Sequence, residues 1–114
     1  MKKHFLMAVF GLFCLKISAQ LTLKVTSIPI NTPAGASIFV AGNFQNWTPG
    51  DPNYKLTPGA NGTFSITFTP PVGTVEYKFT RGAWATVEGG AGGGYQPNHT
   101  VTYSGQPKTV DIAI

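Results

Sequence analysis

The feature that most constrains this sequence is a two-residue alternation of apolar and polar side chains. Leucine and valine alternate with threonine and lysine at 21–26, and related patterns recur at 38–40, 64–68, 75–80 and 110–114. Such alternation places one side of a strand in a core and the other side in water. Turns rich in proline, glycine and asparagine separate these segments. We therefore predict an all-β fold, an antiparallel sandwich of about seven to eight strands.

Two stretches predict loops. Asn61 and Gly62 lie between residues 54–56 and the run 63–68. This dipeptide favours a tight hairpin because both residues tolerate positive φ. The stretch 89–94 is almost pure glycine, so it predicts an irregular loop rather than a strand.

The first 19 residues have the pattern of a secretory signal peptide. Lys2 and Lys3 precede an apolar run at 5–15, and Ala19 supplies a small residue at the predicted cleavage point. The run is shorter than the roughly 20 residues that a membrane-spanning helix needs, which disfavours the alternative of an uncleaved anchor. We therefore expect a secreted or periplasmic protein.

Cleavage after Ala19 would leave one domain, residues 20–114, which is large enough to bury a single core. Cys14, the only cysteine, would be lost, so the fold would rest on apolar packing without disulfides. The formal charge of +4 would also fall, because three of the eight basic residues precede the cut. A nearly neutral domain without a basic cluster gives little reason to expect nucleic acid or a membrane as partner. An uncharged ligand fits better.

The predicted domain is poor in residues that support catalysis. It contains one histidine, His99, and four carboxylates, without the spacing of a metal site or of a nucleophile elbow. Glu76 and Glu88 could serve as the carboxyl pair of a glycoside hydrolase, but both lie in alternating strand contexts, which predicts solvated faces. We therefore predict a domain that is not an enzyme and that needs no metal or cofactor.

Two tryptophans are the residues best suited to bind a ligand. Trp47 lies in a polar segment, 42–50, and Trp84 follows a strand pattern where it gives way to a turn. An indole face covers the C–H face of a sugar ring, while amide and ammonium groups bond the hydroxyls at its rim. The alternative is that both rings serve packing only, and composition leaves the two interpretations nearly even.

Four segments together resemble a known family. The runs 40–47, 63–66, 76–84 and 98–101 resemble the starch-binding modules of carbohydrate-binding module families 20 and 48. These include the glycogen-binding domain of the AMP-activated kinase β subunit. The resemblance covers roughly residues 36–114 and implies an immunoglobulin-like β-sandwich that binds α-1,4-linked glucose chains.

The resemblance also implies roles for single residues. Trp47 and Trp84 would be the stacking platforms, and Lys78 and Asn98 would bond glucose hydroxyls. The implied ligand is starch, glycogen or a maltooligosaccharide, and the implied partner is a secreted carbohydrate-active enzyme. A secreted structural or protein-interaction domain without a sugar ligand remains the alternative.

Overall fold

The computed structural model describes residues 19–89 and 94–114. Of the predicted signal peptide only Ala19 is described, and most of the predicted glycine loop lies outside the described residues as well. Seven strands make up the described part of the fold: β1 Leu21–Ser27, β2 Phe39–Gly42, β3 Thr57–Pro58, β4 Phe64–Phe68, β5 Gly73–Thr80, β6 His99–Tyr103 and β7 Lys108–Ala113. Three short 3-10 turns lie between them, at Pro52–Tyr54, Ala60–Gly62 and Trp84–Thr86. No helix in 19–89 or 94–114 is long and apolar enough to cross a membrane.

The strands form two sheets, which confirms the predicted all-β sandwich. One sheet has four strands in the order β3-β4-β1-β7, and the other has three in the order β2-β5-β6. All pairs are antiparallel except β1 with β7, which run parallel. A parallel pair needs a long crossover connection, and here the whole intervening chain supplies it.

The core contains the side chains that the alternation predicted to face inward. On β1, Leu21, Leu23 and Val25 are fully buried, whereas Lys24 between them is exposed. The same period puts Tyr77 and Phe79 of β5 at 1% exposure. The buried cluster draws on both sheets: Leu21, Leu23, Val25, Ile38, Val40, Leu56, Phe64, Val75, Tyr77, Phe79, Tyr103 and Ile112.

The predicted hairpin is present, with a longer loop than two residues. Asn61 and Gly62 adopt φ of 58° and 73°, the left-handed region that these residue types accept. The last paired residues are Pro58 and Phe64, so the connection includes the flanking residues of the Asn-Gly pair. The dipeptide therefore directs the reversal of the chain, while the 3-10 turn around it widens the loop.

Strand β6 was not among the predicted alternating segments. Its sequence nonetheless alternates, because Tyr103 is buried and Val101 half-buried, whereas Thr100 and Thr102 are exposed. It pairs with β5 and completes the three-stranded sheet on which the predicted site residues lie.

Candidate functional site

The candidate site lies on the face of the three-stranded sheet that points away from the core, which we call the outer face. On β5, Tyr77 and Phe79 point into the core, and Glu76 and Lys78 alternate with them. The register places Lys78 opposite Ala41 of β2 and Glu76 opposite Thr100 of β6. Glu76 and Lys78 are therefore neighbours along one line of the outer face.

The segment after β2 begins with Asn43, which pairs with β5 in the manner of a strand residue. The Asn43 backbone N–H donates to the Glu76 carbonyl at 3.0 Å. Its side-chain amide donates to the Thr74 carbonyl at 3.0 Å, and its amide oxygen accepts the Glu76 N–H at 3.2 Å. Asn43 thus continues the pairing with β5 beyond the end of β2.

The next aromatic residue closes the edge of the sandwich. Phe44 packs against Phe68 of the opposite sheet and against Tyr54, with ring centroids 4.8 Å and 5.3 Å apart. Gly42 is required here, because a Cβ on it would collide with the Phe44 ring and with the Glu76 carbonyl. Phe44 therefore has a packing role, which leaves the following residues free to form a projecting loop.

The loop that carries Trp47 is held by Gln45. Its Oε1 accepts the N–H groups of Gly42 and Thr48 at 3.1 Å and 2.7 Å, and its Nε2 donates to the Thr48 carbonyl at 2.9 Å. Asn46 and Trp47 both adopt positive φ, 58° and 53°. That conformation costs energy in a bulky residue, and the side chain of Gln45 compensates it with three hydrogen bonds. Trp47 itself is half-buried.

Trp84 begins a one-turn 3-10 helix, Trp84–Thr86, after β5. Its side chain is 44% exposed, one of four large apolar residues with this degree of exposure in the described part of the chain. The turn is closed by the Val87 N–H, which donates to the Trp84 carbonyl, and by the Thr86 hydroxyl, which donates to the Ala83 carbonyl. An exposed indole at this place is available to a ligand.

The two tryptophan-bearing segments lie side by side. The Thr80 hydroxyl donates to the Pro49 carbonyl at 2.6 Å and accepts the Gly82 N–H at 3.0 Å. The Thr80 side chain therefore connects the two segments that carry Trp47 and Trp84. Among the residues described, neither indole shares a hydrogen bond or ring contact with Lys78 or Asn98.

Lys78 and Asn98 lie together above β5. The Asn98 side-chain amide donates to Glu76 Oε1 at 3.3 Å, just before β6 begins. The Lys78 ammonium lies 4.6 Å from the ring centroid of Tyr95, within the range of a cation–π contact. Lysine, asparagine and glutamate thus supply both donors and acceptors over one short stretch of the outer face.

Tyr95 is a candidate site residue that the sequence interpretation missed. Its side chain is 82% exposed, and its ring makes the cation–π contact with the Lys78 ammonium. A signal was available, because Tyr95 is an aromatic residue in a polar segment between the glycine stretch and Asn98. Like an exposed tryptophan, this ring offers an apolar face that a ligand could cover.

The prediction of a solvated face is wrong for Glu88. Its side chain is 4% exposed, and its Oε1 accepts the Phe79 N–H at 2.9 Å. The His99 Nε2 atom lies 2.8 Å and 2.9 Å from the two carboxylate oxygens. The Glu88 backbone N–H bonds the Phe79 carbonyl, so the chain after the turn folds back along β5 and the two-residue alternation no longer decides orientation.

This buried carboxylate changes its surroundings. The Tyr77 ring stacks on His99 with centroids 5.3 Å apart and an angle of 27° between planes. Burial raises the pKa of Tyr77 to about 12, and the negative charge of Glu88 adds to that shift. Because Glu88 is occupied by His99 and a backbone amide, it is not available as the partner of Glu76 in a hydrolytic pair.

A cleft of about 420 Å³ lies at the end of the sandwich, beside the Trp84 turn. Its lining includes Ile38, Phe79, Arg81 and Glu88, and none of the four predicted site residues. This cleft is therefore separate from the side chains of the four predicted site residues. Within the part of the chain that the structure describes, no group of three or more potential metal ligands comes together.

Comparison with known proteins adds an independent observation. No protein-family model matches the chain. It is 44% identical over 96 residues to an alpha-amylase of Niallia circulans and 40% identical over 93 residues to an amylopullulanase of Thermoanaerobacter thermohydrosulfuricus. The alignments cover 83% and 79% of this chain, but only 7% and 6% of the relatives. This all-β domain is therefore homologous to a small segment of each of two much longer amylolytic enzymes.

Proposed function

We propose that this domain binds α-glucan chains, such as starch, glycogen or maltooligosaccharides, and catalyses no reaction itself. The observation that carries the proposal is the pair of tryptophan-bearing segments joined at Thr80 on one end of an open sheet face. The similarity to a small part of an alpha-amylase and of an amylopullulanase supports the choice of ligand. The likeness to carbohydrate-binding module families 20 and 48 supports the same choice.

In the proposed complex, each indole covers the C–H face of one glucose unit. Stacking of this kind releases water from two apolar surfaces and leaves the hydroxyls at the rim free to bond. Lys78 offers an ammonium with several donors, and Asn98 offers both a donor and an acceptor. The contact of Asn98 with Glu76 uses one amide N–H, and the amide keeps a second N–H and an oxygen with which to bond a ligand.

The proposed affinity is modest. Two stacked rings and a few hydrogen bonds to an exposed ligand correspond to about −4 to −7 kcal/mol, or a Kd of roughly 10 μM to 1 mM. Such affinity becomes effective when many glucose units are presented along one polymer, or when the domain is held close to an enzyme that acts on it. We therefore propose a secreted or periplasmic carbohydrate-active enzyme as the functional partner.

The direct test is affinity electrophoresis of the purified protein in gels containing starch or glycogen. We expect the parent to be retarded and Trp47→Ala and Trp84→Ala each to lose about tenfold or more in affinity. Ile30→Ala is the matched control, because Ile30 is a fully exposed apolar side chain outside the site. Unretarded migration of the parent, or equal retardation of all variants, would reject the proposal in favour of a structural or protein-interaction domain.

A second measurement uses the tryptophans as probes. Trp47 and Trp84 are the only two tryptophans in the sequence, so fluorescence excited selectively in tryptophan reports on the proposed platforms. Titration with maltoheptaose should change the emission in a saturable manner, and each single variant should retain the response of one ring.

A further inference from the structure

We propose that Thr80 is a positioning residue that sets the spacing of the two indole platforms, and thereby the preference of the site for longer glucan chains. The inference rests on the proposed function and deepens it, because it names a residue that touches no ligand. Its basis is the place of Thr80 between the two loops and the chemistry of its hydroxyl.

Thr80 is buried on the face of the sheet where alternation predicts exposure. It is 2% exposed, so its hydroxyl, like the Glu88 carboxylate, is buried within the described part of the chain. Phe39 lies opposite it on β2. A buried hydroxyl is costly unless its hydrogen bonds are made. Here both are made, one as donor and one as acceptor.

The two bonds lead symmetrically to the two platforms. The Pro49 carbonyl, which accepts at 2.6 Å, lies two residues after Trp47. The Gly82 N–H, which donates at 3.0 Å, lies two residues before Trp84. One side chain therefore ties together the backbone of both segments at equal distance along the chain from each indole.

The neighbouring backbones touch as well. A Cβ built on Gly50 would lie 2.5 Å from the Gly82 carbonyl oxygen, so the loops approach more closely than any side chain permits. Gly82 itself adopts a φ of 119°, which glycine accepts readily. The hydroxyl bridge and this contact together restrict how far the loops separate.

Fixed spacing matters only for a ligand that reaches both rings. A short oligosaccharide contacts only one indole. A longer chain contacts both, and it binds more tightly when the second ring is already held at the position that the chain reaches. Loss of the bridge should therefore weaken long ligands selectively. A general loss of folding would weaken both classes equally.

The test compares Thr80→Val, which keeps the shape but removes the hydroxyl, with Thr80→Ser, which keeps the hydroxyl. Affinities for maltose and maltoheptaose are measured by calorimetry on the full protein. We expect Thr80→Val to lose about tenfold for maltoheptaose with little change for maltose, and Thr80→Ser to remain within about threefold of the parent. An unchanged ratio of the two affinities in Thr80→Val overturns the inference.

Two further measurements keep the inference testable. If Thr80→Val does not fold, Gly50→Ala disturbs the same junction through the Gly82 carbonyl and should produce the same selective loss. Fluorine NMR of the 5-fluorotryptophan-labelled protein reports on both indoles without ligand. Thr80→Val should shift or broaden both signals, and unchanged signals contradict a positioning role. A parent that binds neither sugar rejects the proposed function, whereas a parent that binds and a variant with an unchanged ratio reject this inference alone.

Discussion

The two tryptophan-bearing segments are built in different ways. The Trp47 loop is held mainly by its own side chains, because Gln45 makes three hydrogen bonds inside it and Asn43 ties its start to β5. The Trp84 turn has no side-chain cap at its start, and its only side-chain bond is that of Thr86 to the neighbouring Ala83 carbonyl. The position of the turn therefore depends on side chains outside it, those of Thr80 and Glu88.

The support of the Trp84 turn comes from two places. Thr80 bonds the Gly82 N–H just before the turn, and Glu88 bonds the Phe79 N–H and His99 just after it. The Trp47 platform is thus organised mainly by side chains of its own loop, and the Trp84 platform by side chains that lie before and after its turn. Loss of the Glu88 side chain should therefore affect the exposed Trp84 more than the half-buried Trp47.

The largest effect should come from Glu88→Ala. The substitution leaves the Phe79 N–H and His99 without their buried acceptor, so we expect the free energy of unfolding to fall by about 3 kcal/mol. Urea unfolding of the variant measures it, with Asp111→Ala, an exposed carboxylate on the other sheet, as control. If the free energy of unfolding falls no more than in Asp111→Ala, the Glu88 side chain does not support the Trp84 turn.

Alkaline pH should destabilise the fold through Tyr77, whose phenol lies near Glu88. Its pKa in the fold is about 12 instead of 10, so the fold favours the protonated phenol. The stability that this difference provides is complete below pH 10 and is lost as the pH rises through about 12.

Comparison of the parent with Tyr77→Phe at a series of alkaline pH values isolates this contribution, because the variant lacks the titrating group. Glu88→Gln should lower the pKa of Tyr77 in a spectrophotometric titration, though it should stay above 10, since burial is the larger cause. Parallel stability curves for the parent and Tyr77→Phe would contradict the assignment.

On the Trp47 side the main test is Gln45→Ala. Loss of the three side-chain bonds should cost about 2 kcal/mol and should reduce the contribution of Trp47 to glucan affinity, while the Trp84 platform is retained. Gln106→Ala, an exposed glutamine outside the site, is the control. Equal effects of Gln45→Ala on both platforms would contradict the distinction between a loop held by its own side chains and a turn held by side chains outside it.

The smallest effect should be that of Tyr95→Ala. Because Tyr95 is 82% exposed, its removal should leave the free energy of unfolding unchanged. Because the ring is exposed and contacts Lys78, we expect glucan affinity to fall by about 1 kcal/mol, and Tyr95→Phe should keep most of it. Calorimetric titration with maltoheptaose measures the change, and identical affinities of the parent and Tyr95→Ala would confine the site to the two tryptophans.

Much of the architecture could be predicted from local pattern. The alternation at 21–26 and 75–80 identifies the core-facing side of β1 and β5, and Asn61 with Gly62 identifies a chain reversal. These predictions succeed because the side-chain direction of a strand and the φ of a turn depend on neighbouring residues. The parallel pairing of β1 with β7 has no such local signal.

The site divides in the same way. That Trp47 and Trp84 lie outside the strands, and that Lys78 points away from Tyr77 and Phe79, follows from the order of the residues. That Glu88 is buried against His99, and that Tyr95 lies over Lys78, depends on how the chain returns to β5.

Neighbouring residues are enough to predict which side chains enter the core and where aromatic rings lie among polar side chains, because both depend on residues one or two positions apart. The burial of Thr80 and the bonds of its hydroxyl to the Pro49 and Gly82 backbones arise only in the folded chain. A hydrogen bond between residues 31 positions apart forms only after two loops have packed together, and no local sequence pattern indicates which loops will do so.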